Sequence, residues 1–300
     1  MAKVRGKDLE FWWDGVEIPV IEANLSAEFE ELDGTDSATP GDGKDTEVGF
    51  ANRTFQVSAN LYTPDGAEIN SGTLTKGNRY RVTAKDTVLA AYDVGQLFES
   101  DGTEVMSSTD KVVPLGNKIT GKTMEFNFNS ADVPVTSIDY NVNYDELDGT
   151  DNSTTGDGRE TEVSRATRAT SINGIVRSEN ADLLTTNPVK QAAILTFNTN
   201  NKAEGDIIPV SKNPVDNTLD FAKIAYAFKW VGAPTETNLG LAAAVEKAFK
   251  VILKRGASTN KEYTGNAIVT AKNITSDINS LAKINYTIKI NGALTEAVAN

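Results

Sequence analysis

Apolar and polar residues alternate with a period of two along much of this chain, a pattern typical of half-buried β-strands. Leu25, Ala27 and Phe29 alternate with polar neighbours. The same pattern occurs in "FAKIAYAFKW" (221–230), and "GNAIVTAKNITSDINSLAKINYTIKINGAL" (265–294) has the pattern of two successive strands. The chain is therefore predicted to be mainly β, built of tandem β-sandwich or barrel units.

One segment departs from the alternation and predicts an α-helix near residues 239–254. In "TNLGLAAAVEKAFKVILKRG" the apolar residues follow helical spacing, at Leu241, Val245, Ala248, Phe249 and Ile252. Basic residues near the end and a following glycine are typical of a helix C-terminus. We expect this helix to pack outside the sheets, and we expect a C-terminal β-hairpin after it.

An acidic, glycine-rich segment occurs twice in the sequence. "ELDGTDSATPGDGKDTEV" begins at Glu31 and "ELDGTDNSTTGDGRETEV" begins at Glu146, with 13 of 18 positions identical. The similarity extends outward: residues 6–62 and 121–177 share 21 identities in 57 positions without a gap. This is an internal duplication at an offset of 115 residues. It predicts a first β unit over residues 1–120 and a second, more complete unit over residues 121–300.

Each copy has the pattern of a strand, a long loop and a second strand, most simply an antiparallel pair. The loop of about 20 residues exceeds the length of ordinary hairpin connections. It is rich in Gly, Asp, Ser and Thr, so it cannot form a core of its own. A long loop that occurs twice at the same length favours a functional role.

The composition narrows the chemistry that the chain can perform. It has no cysteine and no histidine, which excludes disulfides, thiolate nucleophiles, the Ser-His-Asp triad and most zinc sites. We therefore expect no enzymatic activity and no cofactor. The net charge of −13 argues against tight wrapping of nucleic acid, because contacts with phosphates need clustered Lys and Arg. No signal peptide or membrane-spanning stretch is visible, so we expect assembly in a cytoplasm without membrane insertion.

The carboxylates of the acidic segment suggest a metal site as one interpretation. Its carboxylates do not have the spacing of an EF-hand, and a solvated loop of turn-forming residues is the simpler interpretation. No phosphate-binding glycine motif occurs, and Trp12, Trp13 and Trp230 are better interpreted as core or interface residues than as a sugar platform. The sequence therefore predicts no metal, although cation binding by the loops stays open.

Three stretches resemble the major tail tube proteins of long-tailed bacteriophages. They are "GKDLEFWWDGVEIPVIEANLSAEFEELDGTDS" at the start, "TEVGFANRTFQVSANLY" after the first acidic segment, and "YTGNAIVTAKNITSDINSLAKINYTIKINGALTEA" near the end. They resemble the family's opening strand and loop, its next strand, and its closing pair of strands with a G-x-G-A-L-T-like ending. The resemblance covers about half of the chain, and the family normally has one such unit per chain.

The resemblance implies a structural virion protein that gives strands to a ring-shaped inner β-barrel. Rings would stack into a tail tube that surrounds the tape-measure protein, later conducts DNA without binding it tightly, and meets neck or terminator proteins and distal tail proteins at its ends. Four residues on polar strand faces are then expected to face the lumen: Glu28, Glu30, Asn143 and Asp145. The two acidic loops are expected to connect stacked rings, through Asp33, Asp36, Asp42, Lys44, Asp45, Asp148, Asp151, Asp157, Arg159 and Glu160.

The sequence leaves alternatives for the number of chains per ring and for the function. If each copy supplies one barrel unit, three chains form a ring with pseudo-sixfold symmetry; if the first copy is a decoration, six chains are needed. The duplication slightly favours the trimer. The rival functions are a β-sandwich decoration or adhesion protein that binds a receptor or glycan, and a carboxylate-dependent hydrolase.

Overall fold

The computed structural model describes residues 9–35, 46–128, 131–132, 135–175, 192–198, 207–211, 223–230, 245–254 and 260–298. These residues form nineteen β-strands and one 3₁₀ turn, with no α-helix among them. The strands are β1 (Leu9–Trp13), β2 (Val16–Ile18), β3 (Val20–Asp33), β4 (Thr46–Asn60), β5 (Gly72–Thr73), β6 (Arg79–Ala84), β7 (Leu97–Glu99), β8 (Val105–Met106), β9 (Lys111–Pro114), β10 (Met124–Phe128), β11 (Ala131–Asp132), β12 (Val135–Asp148), β13 (Thr161–Ile175), β14 (Ala192–Asn198), β15 (Ile207–Ser211), β16 (Lys223–Trp230), β17 (Lys247–Leu253), β18 (Lys261–Asp277) and β19 (Lys283–Val298). The prediction of a mainly β chain is confirmed.

The predicted helix near 239–254 is wrong where the structure describes it, because Lys247–Leu253 forms strand β17. Phe249 and Val251 alternate into the core, and β17 pairs with both β1 and β18. Its β-branched and aromatic residues suit a pleated surface, and pairing on both sides outweighs the helical spacing. Residues 239–244 lie outside the described part.

The duplication is visible in the strand pairing. Hairpin β3–β4 pairs Leu25 with Phe55, and hairpin β12–β13 pairs the equivalent residues, Tyr140 with Thr170. Both hairpins carry two register shifts at equivalent places, the second between Phe29 and Glu31 in the first copy and between Tyr144 and Glu146 in the other. The predicted antiparallel pairs are confirmed. The loops are shorter than expected, because the strands extend into the acidic segments and leave only 34–45 and 149–160 between them.

The 14-stranded sheet divides into two repeats of seven strands. Equivalent strands lie at the two ends of each repeat, but the three middle strands follow the chain in opposite order. The first repeat is β2-β1-β17-β18-β19-β4-β3, and the second is β11-β10-β16-β15-β14-β13-β12. The first repeat therefore combines the N-terminal strands with β17–β19, and the second repeat is inserted between them in the chain. The division after residue 120 stays a prediction, but strand pairing places the C-terminal hairpin β18–β19 beside β4 and therefore in the first repeat.

The repeats join where β12 pairs antiparallel with the second half of β18, from Ser137 opposite Asp277 to Asn143 opposite Ala271. The first half of β18 pairs with β17 instead. Among the described residues, β3 pairs with β4 alone, so the sheet is open and the single chain does not close a barrel.

The main core lies on one face of this sheet. It is made by alternate residues of the long strands and is covered by β1 and β17, with Phe11 fully buried at its centre. Phe55 and Phe249 stack with centroids 6.4 Å apart. The members on the long strands include Val57, Ala59, Ile138, Tyr140, Val142, Val269, Ile274, Ile284, Tyr286, Ile288 and Ile290. Burying one face commits the alternate side chains to the opposite face.

A small subdomain follows β4 and contains β5–β9. It has its own core, formed by Leu74, Tyr80, Val82, Leu89, Phe98, Met106 and Val112. Glu17 of β2 connects it to the sheet: its carboxylate accepts a hydrogen bond from Leu97 N at 2.8 Å. Burial raises the pKa of Glu17.

Candidate functional surface: a polar sheet face and an inter-repeat arm

A row of amide and hydroxyl side chains crosses the sheet on the face opposite the main core. Ser58 Oγ donates to Asn285 Oδ1 at 2.6 Å, and Asn285 Nδ2 donates to Asn273 Oδ1 at 3.4 Å. Asn273 Nδ2 in turn donates to Asn141 Oδ1 at 2.5 Å and to Asp139 Oδ1 at 2.6 Å. The row therefore runs through β4, β19, β18 and β12, and it crosses from one repeat into the other.

The strand register explains why these residues meet. Ser58 lies opposite Asn285, Asn285 opposite Asn273, and Asn273 opposite Asn141, so one lateral row of the sheet consists of polar residues. Neighbouring rows on the same face are also mostly polar and uncharged. One consists of Asn24, Gln56, Thr287, Ala271 and Asn143, and another of Asn60, Lys283, Thr275, Asp139 and Ser171. A face of this kind is wetted by water and is a poor surface for packing against another apolar layer.

The four residues predicted to face a lumen are all exposed strand residues. Glu28 lies opposite Asn52, and Asn143 lies opposite Thr167, so both belong to the polar face. Glu30 lies at the bulge of β3 and accepts a hydrogen bond from Arg159. The backbone carbonyl of Asp145 accepts one from Ser164 Oγ. The lumen assignment stays a prediction for all four.

A shallow cleft of about 440 Å³ lies at one end of the polar face, beside the β18–β19 turn. Its polar lining includes Ser137, Asp139, Asn173, Thr275, Asp277 and Lys283. The Asp139 carboxylate is occupied by the amides of Asn141 and Asn273. The Asp139 carboxylate in this cleft therefore takes part in the polar row that links β12 to β18.

The second acidic segment, residues 149–160, reaches across to the first repeat and is called the inter-repeat arm below. Ala51 N donates to Asp157 O at 2.6 Å, and Arg159 N donates to Ala51 O at 3.0 Å. Gly292 N donates to Arg159 O at 3.1 Å. These bonds make a parallel bridge between Ala51 and Gly158, so the arm lies against β4 and β19.

Ion pairs reinforce the position of the arm. Arg53 Nη2 lies 2.5 Å from Asp157 Oδ2, and only 10% of the Arg53 side chain is exposed. Arg159 bridges Glu30 of the first repeat, at 3.0 Å, and Asp148 of its own repeat, at 2.8 Å. Arg53 is buried, so the Asp157 carboxylate is needed to offset the free-energy cost of burying the guanidinium charge.

The arm can approach this closely because residue 158 is glycine. A Cβ atom there would lie 1.9 Å from Gly292 O and 3.0 Å from Arg53 Nη1. Gly292 O belongs to the backbone of β19, so it cannot rotate away from an added Cβ atom.

The inter-repeat arm should loosen in acid. The hydrogen bond that Arg53 donates lowers the pKa of Asp157 from its ordinary value of 3.8. A carboxyl whose pKa is lower in the folded state contributes stability above its unfolded pKa, and this is lost as pH falls through the folded value. Asp157→Asn should therefore lower the melting temperature at pH 6, and the difference from wild type should shrink as the pH falls below 3.8 toward the lower folded pKa.

Thermal denaturation of both proteins from pH 6 to pH 3 measures this effect. Glu47→Gln, on an exposed residue of β4, is the matched control and should change the melting temperature little. A deficit of Asp157→Asn that persisted unchanged at pH 3 would contradict the role given to the carboxylate.

The acidic-loop residues predicted from the sequence divide into two groups. Asp36, Asp42, Lys44 and Asp45 lie outside the described residues, whereas Asp33, Asp148, Asp151, Asp157, Arg159 and Glu160 are described. Asp157 and Arg159 make the contacts to the first repeat, and Asp151 forms a local turn with Ser153 and Thr154. A ring-to-ring role for this group stays a prediction.

The sequence did not predict the residues of β4 and β19 that the inter-repeat arm contacts. In the sequence, Ala51 and Arg53 stand out only as identities with Ala166 and Arg168 across the duplication. Asn291 was also missed: it accepts from Thr161 N at 3.0 Å and donates to Thr161 O at 3.1 Å. An arginine retained within an alternating apolar strand was the available signal.

Comparison with known proteins identifies no family. No protein-family model matches the chain, and no curated protein matches its sequence. Within the described ranges there is no group of three or more potential metal-ligating side chains. The described part also contains no helix that is long and apolar enough to cross a membrane.

Proposed function

We propose that this chain is a structural protein of a phage tail tube, present in the virion tail and assembled in the host cytoplasm. Its rings would stack into a conduit around the tape-measure protein, meet neck and distal tail proteins at the ends, and conduct DNA at ejection. One observation carries the proposal. Two repeats of seven strands each lie side by side in one sheet, whose core face is buried and whose other face carries a row of polar side chains from Ser58 to Asn141.

Such a sheet extends naturally into a ring. Each further copy can pair its strands with the free edge of the preceding copy. Closure of the ring then removes the last free strand edge, which could otherwise cause aggregation. The polar face would then line the lumen. Asparagine, serine and threonine side chains with few cations offer phosphates little attraction, so DNA could pass without being held.

We propose three chains per ring. Strand pairing gives the first repeat its own β17–β19, so both repeats have a full set of strands. This favours three chains with six repeats over six chains in which the first copy is a decoration. In the stacking part of the proposal, the contact between rings falls to the exposed Asp151 and, by its equivalent position in the sequence, to Asp36.

Electron microscopy of the purified protein tests the proposal. Hollow rods or rings are expected, with a ring mass of about 97 kDa for three chains of 32.2 kDa. A reconstruction should place Ser58 and Asn273 toward the lumen. Dispersed monomers under all assembly conditions, or rods with these side chains on the outer wall, would refute it.

A decoration or adhesion protein is the second candidate. The small subdomain favours it, because it has a separate core and exposes Val88, Val94 and Val105. The same micrographs discriminate between the two, because an adhesion protein has no reason to form hollow rods.

A further inference from the structure

The small subdomain contacts the large sheet at the edge of strand β2. This strand forms a hairpin with β1, and among the described strands it pairs with no other. Its middle residue, Glu17, lies opposite Trp12 in the hairpin. The backbone N–H and C=O of Glu17 are directed away from β1, toward the subdomain. An edge strand offers such groups to any further strand that approaches it.

The subdomain binds both of these backbone groups. Glu17 N donates to Gly95 O at 3.1 Å, and Glu17 O accepts a hydrogen bond from Arg81 Nη1 at 2.6 Å. The Glu17 carboxylate accepts a third hydrogen bond, from Leu97 N at 2.8 Å. Only 8% of Glu17 is exposed. The one residue at the centre of the edge is therefore covered by the subdomain through its backbone and its side chain.

Arg81 occupies the place that the N–H of a neighbouring strand would take. It extends from β6, and Asp65 fixes its guanidinium, with Nε 2.9 Å from Oδ2. Only 14% of the Arg81 side chain is exposed. A guanidinium group donates hydrogen bonds but accepts none, so it ends the hydrogen-bonded ladder where a strand would continue it.

Gly95 allows the subdomain to come this close to the hairpin. Its φ of 90° lies in the region that favours glycine. A Cβ atom there would lie 2.1 Å from Gly15 O and 3.2 Å from Val16 Cα. Both atoms belong to the backbone of the β1–β2 hairpin, so any side chain at residue 95 would force the subdomain away from β2.

We propose that the small subdomain is a cap on the β2 edge, which prevents a second copy of this chain from pairing there. The excluded partner is another copy because the chain carries an open edge of its own: among the described residues, β3 pairs with β4 alone. An exposed β2 would give β3 of another copy a second place to bind. Mixed contacts of this kind prevent copies from closing into one regular assembly.

Gly95→Ala tests the cap. The added Cβ should separate Gly95 from Gly15, so the Glu17 amide should exchange its hydrogen about tenfold faster or more than in the wild type. The uncovered edge should also make the variant self-associate at protein concentrations at which the wild type does not change. Hydrogen exchange measures the first effect, and sedimentation velocity of the full chain at several concentrations measures the second.

Gly77→Ala is the matched control. Gly77 lies in the same subdomain with a φ of 80°, but a Cβ atom there would meet no atom within 4 Å. Both substitutions therefore strain the backbone similarly, and only Gly95→Ala disturbs the contact with β2. Arg81→Ala is a second test that adds no atoms, and Arg79→Ala, at an exposed residue of the same strand, is its control.

The cap is supported if Gly95→Ala and Arg81→Ala both exchange faster at Glu17 and self-associate more than their controls. Equal exchange in each variant and its control would contradict the contact with β2. Faster exchange without added self-association would show that the subdomain does not guard the edge. Melting temperature checks folding, and if Gly95→Ala is unfolded, Arg81→Ala decides. The inference does not rest on the proposed function: a wild type that forms no rings or rods would refute that function and leave this comparison valid.

Discussion

Phe11→Ala is expected to lower the free energy of unfolding by about 3–5 kcal/mol, the usual cost of removing a buried aromatic side chain. Phe11 is completely buried and lies between Phe55, at a centroid distance of 5.7 Å, and Trp13, at 6.3 Å. Phe11 packs β1 against the long strand β4, so its removal would leave a cavity between these two strands of the first repeat. Chemical denaturation followed by circular dichroism measures the change.

Phe29→Ala is the matched control, because it makes the same chemical change on the same sheet. Phe29 is 54% exposed at the end of β3, and its loss should change the free energy of unfolding by about 0.5 kcal/mol or less. Equal effects of the two variants would contradict the packing of Phe11 in the buried core.

Gly158→Val is expected to detach the inter-repeat arm and to cost about 2–4 kcal/mol, from three lost backbone hydrogen bonds and a buried arginine left without its partner. The added Cβ would meet Gly292 O at 1.9 Å. Because that carbonyl belongs to β19, the arm must move and the strand stays. Denaturation measures the loss, and faster amide exchange at Ala51 and Gly292 would locate it.

Gly149→Ala is the control for this prediction. There the added Cβ would lie 3.4 Å from Cγ of the flexible Glu162 side chain and 3.8 Å from Glu160 O, which are ordinary contact distances, so stability should change little. If Gly158→Val were as stable as Gly149→Ala, the arm would contribute nothing to holding the repeats together.

The sequence by itself determined the local structure and the duplication. The alternation around Leu25 and Phe29 specified strands, because burying one face imposes a period of two on any strand. The gapless offset of 115 residues predicted two equal hairpins, and the structure has them with equal register and equal bulges. These features depend on residues that are near each other in the chain, so pattern alone could reveal them.

Only the tertiary structure decided which strands meet. The helical spacing around Phe249 was overridden by pairing with β1 and β18, and the C-terminal hairpin joined the first repeat, although the second precedes it more closely in the chain. The arm on Arg53 and the polar row from Ser58 to Asn141 likewise join residues far apart in sequence. Such contacts depend on long-range register, which many alternating strands could satisfy equally well, and only the packing of the whole sheet selects one arrangement.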